Sequence, residues 1–230
     1  MTEIIEGTLK AFQLILSGDP TVFEITVRSL FISGTAIAIA ALWGIPIAML
    51  LGLKDFRGKF LVKGFFNSLI GIPTVALGLI FYLLLSRAGP LGFFRMLYTP
   101  TGIIIGEAVL VTPIVVSFAA NALEAVSPDI MDLAKTLGAS EDQAYIAVFR
   151  EALSGVILAT VASFNRAIAE LGVAQMVGGN ISGLTSVLTT TISNETSKGN
   201  IALSIALAII LLVLVFGITF AVSILVRRRK

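Results

Sequence analysis

Long apolar runs alternate with short polar breaks along this chain. Five runs stand out: Val27 to Leu53, Phe60 to Ser86, Gly102 to Ala122, Ala147 to Val173 and Ile201 to Val226. Each is near or above the ~20 residues that an α-helix needs to cross ~30 Å of hydrocarbon. Lipid offers no partner for a backbone N–H or C=O, so these runs are predicted as helices. The expected fold class is all-α, a polytopic membrane protein with about five transmembrane helices. Ahead of the first run, Ile4, Ile5, Leu9, Phe12 and Leu16 recur at helical spacing. Residues 1–20 therefore read as an interfacial amphipathic segment or a frayed terminus, and 21–230 as one transmembrane domain. Glu3 and Glu6 lie where a cleaved signal would carry positive charge.

Composition agrees with a bilayer as solvent. The chain has 230 residues, 57% of them hydrophobic and 13% charged, with a mean hydropathy of +1.00. It contains no cysteine and no histidine. That excludes disulfides, thiolate metal sites and a Ser-His-Asp triad, and it removes the commonest general base. A proteolytic or metal-dependent membrane enzyme is thereby disfavoured.

Loop charge predicts orientation. Lys54, Arg57, Lys59 and Lys63 follow the first run, and Arg227, Arg228, Arg229 and Lys230 follow the last. Positive loops stay cytoplasmic, which places the N-terminus outside and the C-terminus inside. Arg87 and Arg95 fall in an outer loop and oppose this, two residues against eight. The runs also contain Pro46, Pro73 and Pro113, which bend helices, and Gly71, Gly78, Gly102 and Gly106, which allow close helix contacts. Such features suit either irregular packing or helices that line a path.

The most informative polar stretch separates the third and fourth runs: "EAVSPDIMDLAKTLGASEDQAYIAVFREAL", Glu124 to Leu153. Ser127-Pro128-Asp129 is a helix start with a cap, a proline at the first position and an acid in the first turn. Ile130, Leu133, Ala134 and Leu137 form one apolar stripe, and Gly138 is a natural stop. Ser140 then opens the next helix, with Glu141 and Asp142 in its first turn. An isolated amphipathic helix of two to three turns is marginal in water, so this one needs a partner surface.

Asp132-Leu133-Ala134, three residues, Gly138, nine residues and Val148 resemble the cytoplasmic loop signature of ABC importer permeases. Here Asp132 stands where that family has glutamate, and Arg150-Glu151 where many members have Leu-Pro. The resemblance implies that the short helix within 124–146 is a coupling helix. Asp129, Asp132, Leu133, Ala134 and Gly138 would engage the ATP-binding subunit. "IGIPTVALGLIFYLLLSRAGPLG" (Ile70 to Gly92), "FNRAIAELGVAQMVGGNI" (Phe164 to Ile181) and "TSVLTTTI" (Thr185 to Ile192) resemble the permease subunits of tungstate importers, relatives of the molybdate and sulfate permeases. The likeness runs from about Thr26 to the end. It implies the type I importer fold, a homodimer on two ATPase subunits, an extracytoplasmic tungstate-binding protein and a prokaryotic plasma membrane. ATP and magnesium would bind the partner subunit, leaving this chain without a cofactor and without catalysis of its own.

One stretch raises a problem of charge. Arg166 and Glu170 stand inside the fourth run, and Glu107 stands about five residues into the third from the outside. An ionisable group at membrane depth is costly unless it is paired or turned toward water. Arg166 is therefore expected to contact Glu107, Glu170 or both near the outer mouth. Two readings stay open. The group is a structural ion pair, or Arg166 and its neighbour Asn165, with Gly178, Gly179, Asn180 and Thr185, form an outer gate for a divalent oxyanion. Backbone amides of a Gly-Gly-Asn turn suit an anion.

No GxxxxGK[ST] loop is present, so this chain carries no P-loop of its own. Energy for transport would arrive through the Asp129 to Gly138 helix and drive alternating access. A passive channel or structural subunit would share the kinked runs and the buried charges, but it has no use for a docking helix between runs three and four.

Overall fold

In the structure, a computed structural model, residues 2–227 are described; Arg228, Arg229 and Lys230 of the expected basic cluster lie outside them, as does the side chain of Ile4. Asp19 opens the first long helix. Its carboxylate accepts from Thr21 N (2.9 Å) and Val22 N (3.1 Å), and Pro20 takes the first helical position. From there α2 runs over Pro20–Leu53, ahead of which α1 covers Thr2–Leu16. The remaining helices are α3 (Lys59–Leu69), α4 (Thr74–Leu85), α5 (Pro100–Glu124), α6 (Pro128–Thr136), α7 (Glu141–Ile168), α8 (Leu188–Ser197) and α9 (Ile201–Arg227). No strand occurs among the described residues.

Four helices, α2, α5, α7 and α9, are long and apolar enough to cross a bilayer. The second predicted run is not one such helix. It breaks at residues 70–73 into α3 and α4, which meet at 94°. Pro73 explains the break, because it lacks an N–H and drives Ile72 out of the helical region. With 11 and 12 residues, neither half is long enough to cross alone. Among the described residues the bundle thus has four continuous spans, and a fifth, broken one where α3 and α4 are taken together.

Helix α5 is central. Within its most apolar stretch 78% of residues are buried, against 17% in α9. Helices α2 and α7 flank α5, with Ala48, Leu51, Val116, Ala120, Leu123 and Val156 in one apolar cluster. Small residues permit this closeness. A Cβ placed on Gly52 would stand 2.7 Å from Leu123 Cβ and 3.0 Å from the Ala120 carbonyl oxygen. Polar contacts also join this pair of helices, among them Trp43 Nε1, which donates to Thr112 Oγ1 at 2.7 Å.

Helix α1 packs on α9 through Gly7 and Ala11, with Gly7 against Ile201 and Ile205. The predicted stripe of Ile5, Leu9, Phe12 and Leu16 is the opposite, exposed face. Helix α3 has no buried residue, and Phe60, Leu61 and Phe65 stand open. Beside its start, Lys59 and Lys63 converge on Glu124 at the end of α5 (3.3 and 2.5 Å).

Candidate functional site

Two sites emerge at opposite ends of the bundle. The first is α6. Ser127 Oγ accepts from Asp129 N at 3.3 Å and starts the helix, and Asp129 and Lys135 sit at the ends that favour their charges. Gly138 follows with φ +86°, a left-handed turn open to glycine. Ser140 then caps α7 in a reciprocal capping box with Gln143. Helix α6 packs on α7, with Ala134 partly buried, while Asp132, Leu133 and Leu137 face outward. Leu133 is 60% exposed and Leu137 79%, so half of the apolar stripe covers nothing in this chain.

The second site lies around the end of α7. The fourth helix starts earlier and stops sooner than the apolar run suggests, at Ile168 rather than Val173. Glu170 therefore sits beyond the helix, not within it. One oxygen of its carboxylate accepts from Arg166 Nη1 at 2.5 Å and the other from Val173 N at 3.0 Å. The second bond caps the next turn, a short π-helical segment over Ala174–Gly178. Glu170 is buried and Arg166 partly exposed. No Arg166–Glu107 ion pair forms among the described residues. Glu107, also buried, instead accepts from Ser33 Oγ of α2 at 3.0 Å. Asn165 points the other way, donating through Nδ2 to Thr219 Oγ1 of α9 at 2.7 Å, and its Oδ1 is buried without a partner.

The glycine-rich stretch that follows is more ordered than a loop of small residues suggests. Gly179 and Asn180 both adopt left-handed backbone. The Gly179 amide is not bare: it donates to Gln175 O at 3.0 Å. Gly178 is buried, and its carbonyl accepts from Thr185 Oγ1 at 2.6 Å. Thr185 also accepts from Ile181 N at 2.8 Å, which closes the loop on itself. The expected anion nest at residues 178–180 is therefore partly used by the fold. Thr190 Oγ1 donates to Asn180 Oδ1 at 2.9 Å, tying the loop to α8. That helix, missed by the apolar pattern, carries too little hydrophobic character to signal itself.

Two residues of α2 complete this region. Arg28 donates to Ser186 O at 3.0 Å and pairs with Glu24, and Ser29 Oγ accepts from Leu188 N at 2.8 Å. The signal for them was available, since an arginine one residue inside an apolar run needs a reason.

Comparison with known proteins fits this architecture. A family profile described as binding-protein-dependent transport system inner membrane component matches residues 44–230. The chain belongs to that family. This permease component is 41% identical over 185 residues to the tungstate uptake system permease protein of Peptoclostridium acidaminophilum, covering 80% of this chain and 81% of that one. It is 41% identical over 158 residues to a probable anion ABC transporter permease protein of Haloferax volcanii, covering 69% and 68%. In fold it is similar to the MetNI methionine ABC transporter in an inward-facing conformation, with a TM-score of 0.74 at 18% identity, over 91% of this chain and 96% of that one. The permease component is thus an all-α inner-membrane protein with the fold of an importer permease.

Proposed function

We propose that this chain is the permease subunit of an ATP-driven importer of tungstate. The observation that carries the reading is α6, whose Leu133 and Leu137 stand exposed at one end of the bundle beside Asp132. A two-turn helix held out in this way is built to dock, and the docking partner is an ATP-binding subunit. The identity to a tungstate uptake permease supports the substrate, and its relatives among anion permeases support the charge class. Relatives named for molybdate and sulfate transport carry lower identity.

The basic residues beside α3 support a cytoplasmic position for α6, with the N-terminus outside. Exposed apolar side chains on α3 and α4 support a homodimer, since a broken span gains most from a second copy. An extracytoplasmic binding protein delivers the ion to the end opposite α6. Closure of the ATPase pair then moves α6 and switches the spans between inward and outward states. Arg166 and Glu170 form the latch near the outer mouth, and opening would separate them.

Gentle extraction from native membranes, followed by mass spectrometry, tests the assembly. Two copies of this chain with two of an ATPase subunit are expected. Tungstate-loaded binding protein should then stimulate ATP hydrolysis more than molybdate- or sulfate-loaded protein. A chain recovered alone would overturn the importer reading in favour of a channel.

A further inference from the structure

At the end of the bundle away from α6, the first turns of α2, the loop before α8, α8 itself and the start of α9 enclose a pocket of about 230 Å³. Its wall includes Arg28, Asn180, Ser182, Gly183, Thr191 and Asn194. Most of these side chains are hydroxyls or amides.

Three observations in this pocket converge on an acceptor-rich ligand. Thr191 is only 6% exposed, and its Oγ1 is buried with no hydrogen-bond partner among the described residues. A buried hydroxyl in that state is costly, and an acceptor placed in the pocket would satisfy it. The loop amides of Ile181, Leu184, Thr185 and Ser186 all bond within the loop, whereas those of Ser182 and Gly183 donate to nothing among the described residues. Gly183 has φ +73° with open space where a Cβ would lie, so two successive amides stand free at a left-handed turn. Arg28 supplies the third feature. Its side chain is only 12% exposed and is fixed from two sides, by Ser186 O and Glu24.

We propose that this pocket is a transit site for a tetrahedral oxyanion, bound by the Thr191 hydroxyl, the Ser182 and Gly183 amides and the edge of Arg28. The proposal rests on the anion-importer reading and deepens it by naming where the ion is first held. A tetrahedral dianion offers only acceptors, and every group named here is a donor. The site is also built to release. Arg28 pairs with Glu24, and Lys198 with Glu195 at 2.8 Å, so both cations of the pocket are already matched by carboxylates. The ion meets neutral donors and an arginine whose charge is already matched. A conducting path needs such a site, favourable enough to enter and weak enough to leave.

Equilibrium dialysis of the purified permease in nanodiscs against tungstate, molybdate, sulfate or phosphate, with retained metal or radiolabel counted, tests this directly. Wild type should retain tungstate, and Thr191→Val should retain it about fivefold more weakly, the loss of one hydroxyl donor. Arg28→Gln should weaken it further. Gly64→Ala, outside the pocket lining and with open space around its Cβ position, should bind as wild type does. Unchanged retention in both Thr191→Val and Arg28→Gln would overturn the site, as would no retention of any tetrahedral oxyanion by wild type. Retention of sulfate or molybdate but not tungstate, lost in Thr191→Val, would uphold the site and overturn the tungstate reading instead.

Discussion

The carboxylate of Glu170 binds Arg166 Nη1 with one oxygen at 2.5 Å and the Val173 amide with the other at 3.0 Å. It thus closes an ion pair and caps a helical turn at once. The structural and gating readings of this pair are not rivals, because the same carboxylate fixes both the end of α7 and the start of the next segment. Any motion that draws Arg166 away leaves a buried acid with half its partners.

That asymmetry gives a testable stability difference. Arg166→Met strands a buried carboxylate and should destabilise the permease by about 3 kcal/mol. The double variant Arg166→Met/Glu170→Gln removes the charge as well and should recover part of that loss, because the glutamine can still accept from Val173. Thermal unfolding in nanodiscs would show this as a non-additive cycle. Additive effects would mean that the two side chains act independently. Tungstate uptake should fall in Arg166→Met while the homodimer survives on size exclusion.

Packing between α2 and α5 yields a second expectation. At Gly52 a Cβ would lie 2.7 Å from Leu123 Cβ and 3.0 Å from a carbonyl oxygen, with backbone on one side unable to yield. Gly52→Ala should cost about 1–3 kcal/mol through overpacking. Gly64, with nothing within 4 Å of its Cβ position, should accept alanine with little change. Equal losses at both positions, read as shifts in melting temperature, would count against the close contact.

Helix α8 carries a pH-dependent tie. Lys198 beside Glu195, with the Asn200 amide behind it at 3.0 Å, holds the Glu195 carboxyl below its ordinary value. A depressed folded value contributes stability that is full above the unfolded carboxylate value of ~4.3 and lost as pH falls through the folded one. The size should be that of a solvent-side ion pair, about 0.5 kcal/mol. Glu195→Gln should therefore match the wild type near and below pH 3 and fall behind it at pH 7, measured by thermal unfolding across that range. A constant offset at all pH values would contradict the assignment.

The legibility of this chain follows the strength of its apolar signal. Helices α2, α5 and α9 were readable because lipid demands unbroken apolar length, and α6 because Ser127, Pro128 and Gly138 punctuate it. The 94° break at residues 70–73 was not readable as such, since Pro73 announces a bend but not its size. Helix α8 was hidden for the opposite reason: its threonines and asparagine carry little pattern, and tertiary bonds from Ser29 and Asn180 hold it. In the site, the charges of Arg166 and Glu170 were visible as an anomaly and their pairing was expected, but the further partners of the buried acids were not. Ser33 reaches Glu107, and Arg28 reaches Ser186, from elsewhere in the chain, by contacts that no local spacing encodes.

The turn after α6 gives the sharpest functional prediction. Gly138 holds φ +86° with open space around its Cβ position, so the constraint there is backbone conformation and not crowding. A β-branched residue resists that region, whereas asparagine enters it at small cost. Gly138→Val should therefore re-aim α6 and uncouple ATP hydrolysis from tungstate uptake, while Gly138→Asn keeps both. Leu137→Asp, one residue earlier, keeps the turn but places a charge on the exposed apolar tip, and should weaken association with the ATPase subunit by about tenfold or more. Three measurements on reconstituted complexes separate these effects: subunit affinity, ATPase rate and uptake per ATP. Gly138→Val should lower the last with affinity largely kept, and Leu137→Asp should lower the first. If Gly138→Val transports with normal coupling, α6 is not a lever aimed by this turn. If Leu137→Asp binds the ATPase as tightly as wild type does, the exposed stripe of α6 is not the docking face.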